Sequence, residues 1–244
     1  KLGGFAIMTA SGLKFFTTPP HACSYLDNKQ AITLFADPEA VMSNPLYNQL
    51  SSYGFRRSGN YIYKPQCLQC QACISVRIPV HHFKQNRQQK RVWHKNQDLR
   101  VHRIKAGYYQ HHYDLYAHYI RSRHSDGDMY PPSVAQYLSF LFSDWSDTHL
   151  YEFWLEDRLV AVATCDTLKN GLSAVYTFYD ARLEKRSIGT YAILWQIEHT
   201  KQIGLDYLYL GYWVDGSPKM AYKKNFFPLE ALIDQVWRPL PNDK

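Results

Sequence analysis

Three cysteines in one short segment, Cys67, Cys70 and Cys73, constrain this chain more than any other sequence feature. Together with the distant Cys23 they match the four ligands of a zinc ion or an iron–sulfur cluster. The C-x-x-C-x-x-C spacing is closer to that of ferredoxins than to that of two paired zinc-binding turns. A cysteine knuckle of free thiols is the alternative. The fifth cysteine, Cys165, lies in an apolar run and is expected in the core.

Basic residues flank the cysteine knuckle (residues 67–73). Arg56 and Arg57 precede it, and the basic residues that follow it fall near one face of a predicted helix: Lys84, Arg87, Lys90 and Arg91. The net charge is +7, so an anionic partner is expected, with nucleic acid as the first candidate. A solvated helix face is the alternative.

The 244 residues are enough for a large core. We predict an N-terminal domain over residues 8–105 and a C-terminal domain over residues 106–244, with residues 1–7 a non-native remnant ahead of Met8. No segment approaches the roughly 20 apolar residues of a membrane-spanning helix. The cysteine spacing favours reduced thiols over a disulfide framework. A cytoplasmic protein without membrane contact is therefore expected.

Short strands and helices alternate through the first part of the chain. A helix is predicted to start at Asn44-Pro45 and to end before Gly54, and strands are predicted over residues 60–64, 74–80 and 99–104. Two helices follow, over residues 108–123 and, after a Ser133 cap, over residues 134–142. The histidines of this region are expected to face solvent, with metal binding as the alternative: His111, His112, His118 and His124.

The last third has the order of acyl-CoA N-acyltransferase (GNAT) domains, which it resembles. Three antiparallel strands (149–155, 158–167 and 172–179) precede a loop, a Ser187-capped helix, a strand (207–210), a short helix and a closing strand (229–237). At the start of this helix, such domains carry a motif that resembles [RQ]-x-x-G-x-[GA]. Arg186 and Gly189 match, whereas Tyr191 replaces the small residue and is expected to narrow a CoA channel.

The predicted fold class is therefore α+β. A C-terminal GNAT-like domain with a mixed sheet and helices is joined to a smaller N-terminal α+β domain that carries the cysteine knuckle.

Longer motifs identify a family. The N-terminal half carries CSYL and GFRRSGNYIYKPQCLQCQACISVRIPV, and the C-terminal half carries VYTFYD, SIGTYAILWQIE, YLYLGYWV and SPKMAYKKNFFPLE. From about Lys14 to Trp237 the chain resembles the arginyl-tRNA–protein transferase family, in particular its bacterial branch. Ser217 replaces an expected cysteine and Ala181 an expected proline, and neither removes a group that the reaction requires.

The resemblance implies an aminoacyltransferase with two partners. It takes leucine from Leu-tRNA and joins it to a protein N-terminus that begins with Asp or Glu, creating a degradation signal. An aminoacyl ester is already activated, and an α-amine with a pKa of about 7.7–8.0 is partly neutral at pH 7. No cofactor is therefore expected for the chemistry itself.

The candidates for binding the acceptor's acidic side chain are Arg56, Arg57 and Arg77, because a guanidinium group pairs with a carboxylate through two hydrogen bonds. Surface arginines in a turn are the alternative. The catalytic candidates are Asp180, as a group that holds or deprotonates the amine, and Tyr179, as a group that steers the ester. A turn aspartate is the alternative for Asp180.

The candidates for binding tRNA form two basic groups and one helix start. They are Lys84, Arg87, Lys90 and Arg91, then Lys219, Lys223 and Lys224, and finally Gly189. Two functions of other kinds compete with this prediction. One is a CoA-dependent N-acetyltransferase, and the other is a non-enzymatic, metal-containing RNA-binding protein.

Overall fold

A computed structural model describes residues 12–241 of the chain. The remnant predicted over residues 1–7 and the start at Met8 lie outside the described residues. The helices are α1 (Asn44–Ser52), α2 (Arg87–Lys95), α3 (Gln110–Arg123), α4 (Val134–Leu141) and α5 (Ile188–Gln202). The first strands are β1 (Phe15–Thr17), β2 (His21–Ala22), β3 (Gln30–Ala31), β4 (Thr33–Ala36), β5 (Arg56–Ser58), β6 (Tyr61–Pro65) and β7 (Cys73–Pro79). The later strands are β8 (Leu99–Lys105), β9 (Thr148–Leu155), β10 (Arg158–Leu168), β11 (Gly171–Tyr179), β12 (Tyr207–Val214), β13 (Glu230–Ile233) and β14 (Val236–Pro239).

One large sheet organises the molecule. Its eight strands lie in the order β14-β13-β7-β12-β11-β10-β9-β8, and only β11 and β12 pair in parallel. The predicted mixed sheet with helices is confirmed. However, β7 and β8 come from residues assigned to the N-terminal domain, and β7 pairs with β12 along its whole length. The expected boundary near residue 105 therefore does not separate two sheets.

Helices cover both faces of the large sheet. Successive side chains of a strand point to opposite faces, so Phe153 packs in the core that includes α5 residues, and Leu150 packs against α3 and α4. The second core is rich in buried aromatic rings, such as Tyr116 and Phe178 with centroids 5.6 Å apart. None of the helices between residues 12 and 241 is long and apolar enough to cross a membrane.

A smaller sheet, β1-β4-β6-β5, packs with α1 beside the large one. Pro45 lies in the first turn of α1, and the Ser43 side chain caps the helix by accepting from the N–H of Leu46. Tyr47 and Leu50 of α1 are fully buried and join a core that includes Leu168 and Tyr209 of the large sheet. The small sheet is thus fixed to the large one by apolar contacts.

Most predicted elements are confirmed, and two local details differ. The closing strand expected over residues 229–237 is a hairpin of β13 and β14, because Asp234 and Gln235 adopt positive φ values of 50° and 62° and reverse the chain. The Ser187 side chain does not cap α5. Ser187 is itself left-handed, with φ 51° and ψ 48°, and makes no side-chain cap bond.

A buried ion pair also joins the two sheets. Arg57 of β5 donates from Nε and Nη2 to the carboxylate of Asp166 on β10, both at 2.6 Å, and both side chains have no exposed surface. The hydroxyls of Tyr47 and Thr148 donate to the same carboxylate at 3.1 and 2.7 Å. The Asp166 carboxylate therefore accepts four hydrogen bonds. Together with the charge of Arg57, these bonds offset the free-energy cost of burying the carboxylate.

Replacing Arg57 with Met should lower the free energy of unfolding by about 3–5 kcal/mol, because Asp166 then stays buried without its counter-ion. Urea denaturation measures this change. Arg123→Met is the matched control, since Arg123 pairs with Glu184 at the surface, and it should cost at most about 1 kcal/mol. Equal losses in the two variants would contradict the structural role of the buried pair.

Candidate functional site

The two parallel strands of the large sheet part after a short contact and leave a cleft between them. Residues Gly171–Ser173 of β11 pair with Tyr207–Tyr209 of β12, and this pairing then stops. The register of β12 against β7 shifts between Tyr209 and Gly211, where Gly211 has a φ of 77°. This irregularity lets β12 follow β7 while β11 follows β10. The interrupted pairing lies where the GNAT-like order predicts an acyl-transfer cleft.

Arg56 enters this cleft from β5. Its Nη1 donates to Ser173 Oγ at 2.8 Å, and its Nη2 donates to the carbonyl of Ala174 at 2.6 Å. Ser173 is the last β11 residue paired with β12, so the guanidinium group lies where the strands part. A Cβ atom on Gly211 would lie 3.3 Å from Arg56 Cζ. Glycine at position 211 therefore provides both the positive φ and the room for the arginine.

Lys223 lies in the short 3-10 helix Ala221–Asn225, which follows β12 and packs against it, and is buried, with 4% of its surface exposed. Its Nζ donates to the carbonyl of Tyr212. Burial, and next the charge of Arg56, lowers the pKa of the Lys223 ammonium from 10.5 to about 7. The expectation that Lys223 contacts tRNA at the surface is therefore wrong.

The other two lysines of this group differ from Lys223 and from each other. Lys219 is exposed and pairs with Asp126 at 2.9 Å. Lys224 is half-buried, with its Nζ 4.4 Å from the centre of the Trp213 ring. Of the three lysines, only Lys219 is exposed, and its charge is paired with that of Asp126.

Tyr179 lies at the rim of the cleft, where β11 meets the start of α5. Its ring lies 4.9 Å from that of Tyr119, and a Cβ atom on Gly189 would approach its Cε1 to 3.1 Å. No side chain caps the first turn of α5, so backbone N–H groups remain there for an anion. Tyr191 does not narrow this region. It is buried against Trp93 on the core face of α5.

The carboxylate of Asp180 is held by cations. Arg182 donates to it from the backbone N–H, Nε and Nη2 at 2.8–3.0 Å, and Arg158 forms a second ion pair with it. His118 Nε2 lies 3.7 Å away. Because Asp180 is also 1% exposed, these contacts favour a role in shaping the cleft rim over direct contact with an amine.

Two of the three candidate arginines are paired with acids of the chain itself. Arg57 is committed to Asp166, as described above. Arg77 donates from Nε to Glu230 at 2.8 Å, and its guanidinium carbon lies 3.6 Å from the centre of the Tyr207 ring. The structure therefore leaves Arg56 as the candidate that faces the cleft, and both other arginines have structural partners.

The basic helix face is exposed as predicted and lies close to the start of α5. Asn96, the residue after α2, donates from Nδ2 to the carbonyl of Arg186 at 2.8 Å, and Lys95 Nζ donates to the carbonyl of Lys185 at 2.7 Å. In the part of the chain that the structure describes, none of the exposed basic side chains of this face has an acidic partner within 4 Å: Lys84, Arg87, Lys90 and Arg91.

The cysteines lie on the other side of the cleft. Cys73 begins β7 and pairs in register with Val214 at the end of β12, while Cys67 and Cys70 lie in the preceding loop and Cys23 follows β2. All four are free and half-buried. Burial, and then the nearby thiols of the other three, raises the pKa of Cys73 to about 11. The fold thus gathers the four cysteines predicted as metal ligands in one region.

One histidine prediction is wrong. His112 is fully buried, because the start of α3 packs on β9, and its Nε2 lies 2.6 Å from Glu152 Oε1. Among residues 12–241, His111, His112 and Glu152 are the group whose ligand atoms all lie within 4.8 Å of one another. Trp154 Nε1 donates to the second oxygen of Glu152 at 3.0 Å. Both oxygens of Glu152 are therefore hydrogen-bonded within the chain.

Sequence reasoning missed the buried state of Lys223 and the role of Asp166. The Lys223-Lys224 pair is followed, after Asn225, by two aromatic residues, Phe226 and Phe227. This apolar flank is the sequence signal for burial that was available. No local pattern distinguishes Asp166, since its partner lies more than 100 residues earlier in the chain.

Comparisons with known proteins agree with this arrangement. A family model described as "Arginine-tRNA-protein transferase, N terminus" matches residues 21–91, and one described as "Arginine-tRNA-protein transferase, C terminus" matches residues 111–233. Among solved structures, that of L-PGS from Bacillus licheniformis has a TM-score of 0.50 at 10% identity. The match covers 72% of this chain and 62% of that chain, and supports the GNAT-like fold alone.

Curated relatives match almost the whole chain. The aspartate/glutamate leucyltransferase of Pseudomonas fluorescens (strain Pf0-1) is 52% identical over 225 residues, which cover 92% of this chain and 96% of the relative. That of Alcanivorax borkumensis is 51% identical over 235 residues, which cover 96% and 97%. The chain therefore belongs to the arginine-tRNA–protein transferase family, and it is a transferase enzyme.

Proposed function

We propose that this enzyme transfers leucine from Leu-tRNA to the N-terminal Asp or Glu of acceptor proteins and so marks them for degradation. Relatives at 52% and 51% identity are named aspartate/glutamate leucyltransferases, which supports both substrates. The observation that carries the proposal is the cleft between β11 and β12, which has Arg56 at its base and the start of α5 at its rim. Leu-tRNA is present in the cytoplasm, where we place the reaction.

The chemistry requires alignment more than activation. The neutral α-amine of the acceptor attacks the ester carbonyl of Leu-tRNA, a peptide bond forms, and the ester bond to the terminal ribose breaks. The ribose oxygen leaves with a proton, and the attacking amine loses one. Because an α-amine has a pKa of about 7.7–8.0, a cleft that holds the amine against the ester supplies most of what the reaction needs.

Tyr179 and Gly189 fit the donor side of the cleft. The uncapped N–H groups at the start of α5 suit a phosphate of the tRNA 3′ end, and Gly189 leaves room for the Tyr179 ring beside them. For Asp180, proton transfer stays a prediction, and its ion pairs favour a positioning role. A kcat that is retained in Asp180→Asn would rule out an essential base at this position.

Incubation with charged tRNAs and short peptides tests the proposed function directly. With Leu-tRNA, peptides that start with Asp or Glu should accept leucine at least about 100-fold faster than those that start with Ala or Arg, because a site built for a carboxylate rejects a side chain without one. Arg-tRNA should be a poor donor. Equal transfer to the Ala peptide, or acetyl transfer from acetyl-CoA, would refute the assignment.

The basic face of α2 supports contact with the tRNA backbone. Arg91→Glu should weaken Leu-tRNA binding several-fold and reduce the slope of log K against log salt by roughly 1, since one phosphate contact is lost. Lys169→Glu is the matched control, because Lys169 is exposed in the turn at the opposite end of β11. An unchanged slope in Arg91→Glu, or equal slopes in the two variants, would contradict this surface.

We also infer that the four gathered cysteines bind a metal centre as thiolates. The C-x-x-C-x-x-C spacing with one distant cysteine is closer to that of ferredoxins than to that of two paired zinc-binding turns, which favours an iron–sulfur cluster over a single zinc ion. Its place beside the end of β12 suits a structural role next to the cleft, separate from the chemistry.

Anaerobic purification followed by metal analysis and a visible spectrum tests the metal centre. Iron with thiolate-to-iron absorption is expected, and Cys67→Ser should lose both. Cys165→Ala is the control that should keep them, because Cys165 is buried in β10 and bonded to Gln196. Protein that is free of metal, or Cys67→Ser with an unchanged metal content, would leave a knuckle of free thiols as the correct description.

A further inference from the structure

Two cations lie beside consecutive residues of β12. The guanidinium group of Arg56 packs against Gly211, and the Nζ of Lys223 bonds to the carbonyl of Tyr212. They are close enough for the charge of Arg56 to lower the pKa of Lys223. Both groups therefore bring positive charge to one short stretch of the cleft.

Neither cation has an acidic partner within 4 Å among residues 12–241. Arg56 bonds to the neutral oxygens of Ser173 and Ala174, and Lys223 bonds to a backbone carbonyl. In contrast, two more deeply buried arginines, Arg57 and Arg77, each pair with a carboxylate. Two adjacent, uncompensated cations are costly in a protein interior, so their arrangement indicates an anion that arrives with a substrate.

The neighbouring titratable groups do not supply this anion. Besides Lys223, the titratable groups that sense the charge of Arg56 are tyrosines and one cysteine, and burial raises the pKa of each above its ordinary value, so all are neutral at pH 7. They are Tyr25, Tyr47, Tyr63, Tyr212, Tyr222 and Cys165. These groups therefore add no negative charge beside the two cations.

The burial of Lys223 favours a small anion. A tRNA phosphate belongs to a continuous backbone and is met by exposed side chains such as those of α2. A carboxylate on the short side chain of an N-terminal residue can reach a buried amine between two strands. Arg56 has five N–H donors, of which two make the bonds described above, so donors remain for a carboxylate.

We propose that Arg56 and Lys223 together bind the side-chain carboxylate of the acceptor's first residue, and that Lys223 takes up a proton when this residue binds. The inference rests on the proposed function and assigns its acceptor pocket. Discrimination between Asp and Asn would then depend on an amine that becomes fully charged when the correct acceptor is present.

The sign of the proton linkage follows from Lys223. Its pKa of about 7 leaves roughly half of the amine neutral at pH 7 in the free enzyme. A carboxylate beside it stabilises the ammonium form and raises its pKa. Binding of an Asp peptide should therefore take up protons between about pH 7 and the raised pKa, and the affinity should fall as the pH rises through this window.

Calorimetric titration of the full-length enzyme with two peptides that differ only in their first residue, Asp or Asn, tests the inference. The titrations are made without tRNA, from about pH 6 to about pH 9, in buffers of different ionisation enthalpy. Both peptides carry an α-amine, so their difference isolates the side chain. The Asp peptide should bind roughly 10- to 100-fold more tightly, with a larger proton uptake near neutral pH.

Two variants separate charge from titration. Lys223→Met should lower the Asp-over-Asn preference at least about tenfold and abolish the extra proton uptake. It should unfold at no lower temperature than the wild type, since it removes an uncompensated buried cation. Lys223→Arg keeps a permanent charge, so it should keep the preference but lose the extra uptake.

The outcomes distinguish a failure of this inference from a failure of the proposed function. Wild-type preference and proton uptake in Lys223→Met would overturn the inference, even if leucine transfer to Asp peptides is normal. A Lys223→Met variant that loses Leu-tRNA binding but keeps the Asp preference would show that the anion is a phosphate. Failure of the wild type to transfer leucine to Asp or Glu peptides would instead refute the proposed function.

Discussion

The buried pairing of Arg57 with Asp166 is the contact on which the arrangement of the site depends. It joins β5 of the small sheet to β10 of the large one at 2.6 Å. Neighbouring side chains on a strand point in opposite directions. When Arg57 is fixed toward Asp166, Arg56 must point the other way, into the gap where β11 and β12 part. One structural ion pair thus positions one candidate substrate-binding group.

The cations in the interior have two kinds of partner. Arg57 and Arg77 have carboxylates within the chain, and their pairs hold strands together. Arg56 and Lys223 have neutral partners and lie together in the cleft. Satisfied charges serve stability, whereas uncompensated charges are tolerated where a ligand supplies the missing anion. This contrast assigns different roles to residues that look alike in the sequence.

Periodic and motif-rich segments were predictable. The meander of β9, β10 and β11 follows from short alternating runs with turn residues between them, α1 begins at the predicted Asn44, and α4 begins at its expected cap, Ser133. Contacts between distant segments were not predictable. The membership of β7 in the large sheet requires pairing with β12, more than 100 residues later, and no local pattern specifies that partner.

The sequence by itself determined the family, the GNAT-like order of elements, the cysteine spacing and the basic helix face, because each of these features depends on residues that lie close together in the chain. Only the tertiary structure decided which charges are buried. Arg56 and Arg57 are adjacent in sequence, as are Lys223 and Lys224, yet the members of each pair have different surroundings. Burial and partners depend on how distant strands pack, and these set whether a charge stabilises the fold or awaits a ligand.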